Sequence, residues 1–529
     1  MQAKYIPYQQ THAFSTVVLD YIEGKEQLKP FYQYSTDFAG FRQAIDNRKM
    51  LGDRSLLVEV LKKQYKSLNT SPLVLRNIEL LAGEKTFTIT TGHQLNLFTG
   101  PLYFIYKIVT AINLAKELKT KFPGCDFIPV YWMATEDHDF EEINHVKVED
   151  KMITWLSKST GATGKISTAD LGDALNSYKG YLGIGGSGTK LSELIEAAYT
   201  QHANLADATR HLVDGLFNKQ GLVCIDADDA QLKKQFAPLV YQDITEQHSN
   251  ELIEQSNTAL EAIGYKPQVN PRAINFFYMT DGLRERIIED SNGYAVNNTD
   301  ITFTKESLQQ EIDQYPERFS PNVVMRPVYQ EIILPNLAYI GGGAEVTYWL
   351  QLKANFDFYK VPYPVLLLRN SALIIDQRSE RKMQILAISH KNLFHEKEVL
   401  KNEWIKAHVT TYISLDDEAR AIQAVFDQIK LNAYKIDKTL SQSADAAKTR
   451  ALKLITNLDK KMMRAEKKKH VTSLSQIDGL KDKLFPSGVL QERVLNIAPM
   501  YIAYGDDFIN ALLDTFKPLD NQFTVVFAK

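Results

Sequence analysis

Cysteine is nearly absent: 529 residues carry only Cys125 and Cys224. Two thiols cannot staple a chain of this length. A disulfide scaffold is excluded and a reducing compartment is expected. An excess of charge of one sign is also missing. With 61 basic and 64 acidic residues the formal net charge is -3, so no global field favours nucleic acid or an anionic membrane. No apolar run approaches the roughly 18 residues that span a bilayer. The opening MQAKYIPYQQTHAF has no basic stretch followed by an apolar one, so no secretion signal is read there. Internal repeats and low-complexity linkers are lacking too. The expectation is a cytoplasmic protein. No compact zinc-type spacing occurs, and no metal is expected.

What is present is a globular composition, 44% hydrophobic and 24% charged. The chain is too long for one ordinary core, so two to four folding units are expected. Residues 14–80 read as mostly helical, with Val17, Val18 and Tyr21 on one face and Leu56, Val60 and Leu61 on another. Then Thr86 to Thr90 is rich in β-branched and aromatic residues and reads as a strand. A glycine-punctuated loop follows to Pro101. Tyr103 to Lys119 has helical spacing, and Phe127 to Met133 is a second, near-continuously apolar strand. Strand, helix, strand within about fifty residues is a βαβ unit with parallel strands. The leading fold is therefore α/β, a Rossmann-like doubly wound parallel core. Further strands are expected at Gly221–Asp226 and Tyr363–Leu368.

The expected organisation is N-terminal helices and the first half of the core over 1–147, then a first connecting insertion over 148–220. Core follows at 221–264, a second insertion at 265–330 and the second half of the core at 331–395. Helices fill 396–529. There, no Gly or Pro occurs between 415 and 478. Apolar residues recur every three or four positions from Ile422 to Ala465. One helix of about 44 residues would be about 66 Å long. It would turn back through Leu474, Ile477, Leu480 and Leu484 as an antiparallel hairpin. Its apolar stripe exceeds what the short return can cover, so a homodimer through 415–485 is expected. Residues 446–469 hold nine Lys or Arg and two acids. They could meet RNA or a nucleotide, but such a run is more often the solvated face of a helix.

In a parallel sheet, ligands bind beyond the carboxyl ends of the strands. Two such ends are legible. The first is Thr91-Gly92-His93-Gln94, running on to Gly100. Gly92 lets a backbone approach a ligand, His93 can stabilise charge on a phosphate or acyl oxygen, and the next helix points its N-terminus there. The second is Glu136-Asp137-His138-Asp139. These residues could contact substrate or serve as general acid and base, they could bind metal, or they could merely start a helix. Neighbouring strands would open both loops into one cleft. Gly341-Gly342, ahead of Tyr348 and Trp349, could cradle an anion or form a tight turn. Arg326 and Arg369 are anion candidates, Arg369 the stronger because it follows a predicted strand.

These motifs, in order, resemble one family. Thr91 to Gln94 with Leu97 to Tyr103, Ala134 to Asp139, Arg326 to Gln330, Gly341-Gly342, Tyr348 to Gln351 and Leu490 to Val494 are similar to the bacillithiol-synthesis cysteine ligases, BshC. The resemblance covers nearly the whole chain. It implies a core related to class I nucleotidyl-transferring ligases, two connecting insertions and a C-terminal coiled coil that pairs subunits. It implies addition of L-cysteine to the amino group of glucosaminyl-malate. ATP, leaving as AMP or ADP, is the implied activator. By resemblance the Thr91–Gln94 loop is a counterpart of the HIGH-type signature, with His93 near phosphates. One departure is plain: no KMSKS-like lysine loop occurs. On this reading His93, Asp137 and Asp139 are catalytic. Thr91, Gly92, Gln94, Gly100, Glu136, His138, Arg326, Gly341, Gly342, Tyr348, Trp349 and Arg369 bind substrate or nucleotide, with Arg369 meeting a malate carboxylate. The rival reading is a non-catalytic nucleotide- or RNA-binding adaptor with a ligase-like core.

Overall fold

The computed structural model describes residues 1–49, 51–291, 293–408 and 414–528. The chain divides into two compact units. Met1–Gln9, Ala13–Leu373 and Leu490–Val526 form the first, and Ile374–Val489 makes most of the second.

Five parallel strands centre the first unit: β1 (Thr86–His93), β2 (Asp126–Met133), β3 (Val223–Asp226), β4 (Asn336–Gly341) and β5 (Val365–Leu368). Their order is β5-β4-β1-β2-β3, and every neighbouring pair is parallel. The chain steps outward from β1 to β3, then returns to the other side of β1 for β4 and β5. That is the doubly wound order, with its reversal between β1 and β4. β1 and β2 are buried almost end to end, which is why they read as continuous rather than alternating apolar runs.

Helix α1 (Tyr103–Lys121) covers one face of the sheet. Its Leu114 and Leu118 pack in one cluster with Phe87, Ile89, Phe127, Val365 and Leu367. Truncating such a leucine to alanine costs about 2–5 kcal/mol. On the alternate face the Thr88 and Thr90 hydroxyls donate to Asn336 Oδ1 at 3.2 and 2.8 Å. Helix α2 (Arg326–Ile333) leads into β4, and α3 (Gly343–Gln351) leaves it.

Two long excursions interrupt the core. The one between β2 and β3 holds the hairpin His145–Val148 with Lys151–Thr154, then helices such as Leu205–Phe217. The one between β3 and β4 carries a second, antiparallel sheet that includes Phe276–Thr280, Leu283–Asp290 and Phe319–Pro321. It falls in the segment read only as an insertion.

The second unit corrects the single long helix. Two helices stand in its place, α4 (Asp416–Ile436) and α5 (Leu440–Lys469). Lys430 pairs with Asp445 at 2.6 Å and Lys448 with Asp427 at 2.9 Å, while the Leu415 amide reaches Asp459 at 3.3 Å. Residue numbers that converge toward the turn make the pair antiparallel. The break is an Asx turn: Asp437 Oδ1 accepts from the Thr439 amide at 2.8 Å and hydroxyl at 2.7 Å. No glycine or proline is needed, so the periodicity runs through it unmarked. Ile477, Leu480 and Leu484 of the helix Val471–Leu484 are buried. The basic run 446–469 is the charged side of α5, with Lys448, Lys467 and Lys469 in ion pairs. Among the described residues no helix is long and apolar enough to cross a membrane.

Candidate active site

β1 and β2 are in register through Gly92 beside Trp132 and His93 beside Met133. The Ala134 amide continues the ladder to the His93 carbonyl at 3.0 Å. Both polar loops therefore leave the sheet side by side. They open into a cavity of about 640 Å³ at the reversal of strand order. Gly92, His93, Gln94, Glu136, Asp137 and His138 line it, joined by Arg326 and Tyr348.

The His93 ring is stacked on Phe104 and meets Tyr103 edge-on, each at 5.2 Å between centroids. Burial first, then the positive charges of Lys107 and Arg369, push its pKa well below the ordinary histidine value. It is neutral at physiological pH. Its buried Nε2 has no hydrogen-bond partner among the described residues.

Lys107, one turn into α1, reaches the Gly92 carbonyl at 2.8 Å and Glu345 Oε2 at 2.5 Å. Glu345 also accepts from the Gly342 amide at 2.8 Å and the Tyr339 hydroxyl at 2.7 Å. Burial alone would raise its pKa, but Lys107 and these donors more than offset that and lower it. Neither Gly341 nor Gly342 lines the cavity, and the Gly342 amide is capped by the Glu345 carboxylate, as in the tight-turn alternative.

Arg326 opens α2 and bonds Gln330 at 3.0 Å and Tyr348 at 3.4 Å, with its guanidinium near the Trp132 and Tyr339 rings. No carboxylate lies within ion-pair distance of it among the described residues. The insertion sheet supplies the opposite wall. Strand alternation puts Arg284 and Arg286 on one face of Leu283–Asp290, where Arg286 is paired with Phe277. Arg284 stacks 3.9 Å from the centre of Phe277, and its Nη1 donates to His138 Nδ1 at 2.7 Å. Arg286 lines the cavity and, among the described residues, makes no ion pair.

Asp137 accepts from Gln94 at 2.6 Å and from the His138 amide at 2.8 Å. Burial raises its pKa. Hydrogen bonds from His138 and Gln94 and the charge of Arg284 outweigh burial, holding it well below the usual carboxylate range. Glu136 is 8% exposed and pairs with the buried Lys233 at 2.5 Å.

Five other expected site residues hold structure and do not line the cavity. Asp139 is the N-cap of the short helix Phe140–Ile143, accepting from Glu142 at 3.3 Å. It faces solvent, the helix-start alternative. The Thr91 hydroxyl ties β1 to the Ile340 carbonyl at 2.9 Å. Trp349 is fully buried, stacked on Tyr339 at 4.5 Å. Arg369 is neutralised by Glu492 at 2.7 Å, with side-chain exposures of 5% and 0%. It follows a strand end as expected, but Glu492 of the Leu490–Val494 motif reached it first. Gly100 closes a turn in which Phe98, Thr99 and Gly100 all have positive φ. A Cβ on Gly100 would sit 2.6 Å from Asn96. Asn496 pins this strained turn by donating to the Phe98 and Gly100 carbonyls at 2.8 and 2.7 Å.

Lys107, Lys233, Arg284, Arg286 and Glu345 were missed. Arg284 and Arg286 had a signal, two arginines two apart in a strand-like stretch. Lys107 stands alone among buried apolar residues of α1. Lys233 had none, since only folding brings it behind Glu136.

Two family descriptions match the chain. Residues 1–370 match the bacillithiol biosynthesis BshC N-terminal Rossmann-like domain, and residues 372–528 match the BshC C-terminal coiled-coil domain. A Flavobacterium psychrophilum protein named "Putative cysteine ligase BshC" is 45% identical over 98% of both chains. Proteins of the same name from Flavobacterium johnsoniae and Christiangramia forsetii are 43% and 39% identical, over 98% and 99% of this chain and 99% of each relative. Full-length similarity at these levels, with both domains in order, means that the chain belongs to the BshC family of bacillithiol biosynthesis.

Proposed function

We propose that the chain is a ligase that joins the carboxyl group of L-cysteine to the amino group of glucosaminyl-malate, with ATP as activator. One observation carries this reading. A single cavity at the strand-order reversal combines neutral His93 with Arg326 and Arg286, and among the described residues His93 Nε2 has no hydrogen-bond partner and neither arginine has a carboxylate partner. Such a site suits reacting groups that carry or develop negative charge. His93 offers a hydrogen bond to a phosphate or acyl oxygen. The ionised Asp137 suits the cysteine ammonium. Arg326 and Arg286 suit carboxylate or phosphate oxygens, the role expected of Arg369.

We also propose a homodimer through the α4–α5 hairpin. Val425, Leu454 and Leu458 there are 57%, 70% and 49% exposed. The same reading places the enzyme in the cytoplasm, where Cys125 and Cys224 stay reduced; neither is in a disulfide. The test of the chemistry is purified full-length protein with cysteine, glucosaminyl-malate and ATP, followed by mass spectrometry. The expected result is the thiol product with AMP or ADP. No product with all three supplied refutes it.

A further inference from the structure

Three carboxylates line the cavity, and they are not equivalent. Glu345 is consumed by Lys107, the Gly342 amide and Tyr339. Asp137, ionised and held by Gln94 and the His138 amide, is too weak a base to hold a transferred proton. Glu136 is different. Its one ion-pair partner is Lys233, at 2.5 Å, and no other hydrogen bond to its carboxylate is recorded among the described residues. Lys233 does not line the cavity. It lies behind Glu136, 2% exposed, on the short helix that follows β3. There it also contacts Asp228 at 2.9 Å and donates to the Glu317 carbonyl at 3.1 Å. Asp228 in turn pairs with Lys165 at 3.1 Å. A row of alternating charge, buried from Asp228 inward, thus ends at one carboxylate in the cavity wall.

We propose that Glu136 accepts the proton released when the amine attacks, and that Lys233 is the positioning residue that fixes its carboxylate. This rests on the ligase reading above. In the step, the amine nitrogen lone pair forms a C–N bond to the carbonyl carbon of an acyl phosphate or acyl adenylate. The C–O bond to the phosphate breaks and the electron pair leaves with that oxygen. One N–H proton passes to Glu136, which becomes the neutral acid and returns it to solvent. A base at this point contributes about 10²–10⁴-fold in rate.

The groups facing Glu136 set how it titrates. Burial raises its pKa, Lys233 lowers it, Asp228 raises it and Arg284 lowers it. Tyr329 of α2 packs close by with a hydroxyl raised far out of range, so it stays protonated. Asp137 and His138 are its chain neighbours. Two variants must therefore act with opposite sign. Lys233→Gln removes the positive charge and moves the acidic limb of the kcat/KM profile to higher pH, by about one unit. Asp228→Asn leaves Glu136 as the one carboxylate of this pair on Lys233 and moves that limb to lower pH.

The experiment is the pH profile of product formation by full-length enzyme. Glu136→Gln should lower kcat about 100-fold or more with little change in KM. Lys233→Arg should restore the wild-type limb. Structural damage alone would not shift a limb in both directions. Wild-type kcat in Glu136→Gln, or a limb that both charge variants leave in place, overturns the proposal. ¹³C NMR titration of labelled glutamate carboxyls, with Glu136→Gln identifying the signal, reads the same two shifts without turnover. Absence of product from wild type with those shifts present overturns the ligase reading instead, and absence of the shifts overturns this one.

Discussion

Arg369 gives the sharpest test, because two lines of reasoning about it diverge. Its place after a strand makes it an anion ligand; its surroundings make it a structural cation. Its Nη2 lies 2.7 Å from Glu492 Oε1, and its Nη1 donates to the Asn370 carbonyl at 3.1 Å and Ser371 Oγ at 3.0 Å. Glu492 Oε2 accepts from the Ala372 amide at 2.9 Å. Arg369→Met leaves Glu492 buried and unpaired, and Glu492→Leu does the same to Arg369. Removing one partner of a buried pair costs about 3–5 kcal/mol, at least a hundredfold in the folding equilibrium. Replacing both by apolar groups removes the stranded charge, so the double variant should recover much of that loss. The assay is urea unfolding followed by tryptophan fluorescence in a Trp404→Phe background, which leaves Trp132, Trp155 and Trp349, all buried in the first unit. A separate probe is needed for the second unit, since two units need not unfold together. The reasoning is refuted if either single variant keeps wild-type stability while substrate affinity falls. That outcome would make Arg369 a ligand.

Further outcomes follow from the same geometry. Arg286→Gln should weaken the anionic substrate about 10-fold or more, since a charge-assisted hydrogen bond is worth about 1.5–3 kcal/mol, yet shift stability by no more than about 0.5 kcal/mol; KM and urea midpoints check this. His93 has a depressed folded pKa, so the unfolded chain binds the extra proton first and stability falls as pH drops through the unfolded value near 6.5. Between pH 7.5 and 5.5 wild type should lose about 1 kcal/mol more than His93→Gln, by urea unfolding at each pH. Leu454→Glu with Leu458→Glu should turn a dimer into a monomer in light scattering at micromolar concentration. A wild-type monomer there would sink the dimer instead.

Much of the site was legible because it grows from strand ends. Apolar runs followed abruptly by polar residues located β1 and β2, and parallel pairing does the rest: strands in register must deliver their loops to one edge. His93 and Asp137 could be found this way. Asp139 could not be told from a ligand, since an N-cap and a substrate contact use the same carboxylate. The glycines before α3 could not be told from a phosphate loop, because Glu345 folds back to occupy the amide.

Sequence by itself determined the α/β class, the polar loops ending two core strands and the apolar stripe of the C-terminal helices. These follow from local periodicity and side-chain chemistry, which need no knowledge of distant neighbours. Tertiary structure decided everything that depends on which charge meets which. It gave Arg369 to Glu492, 123 residues away, and Lys233 to Glu136. It also set Arg284 and Arg286 of a separate sheet against the core. A charged side chain becomes a ligand group or a structural one according to its partner, and partners distant in sequence meet only through the fold.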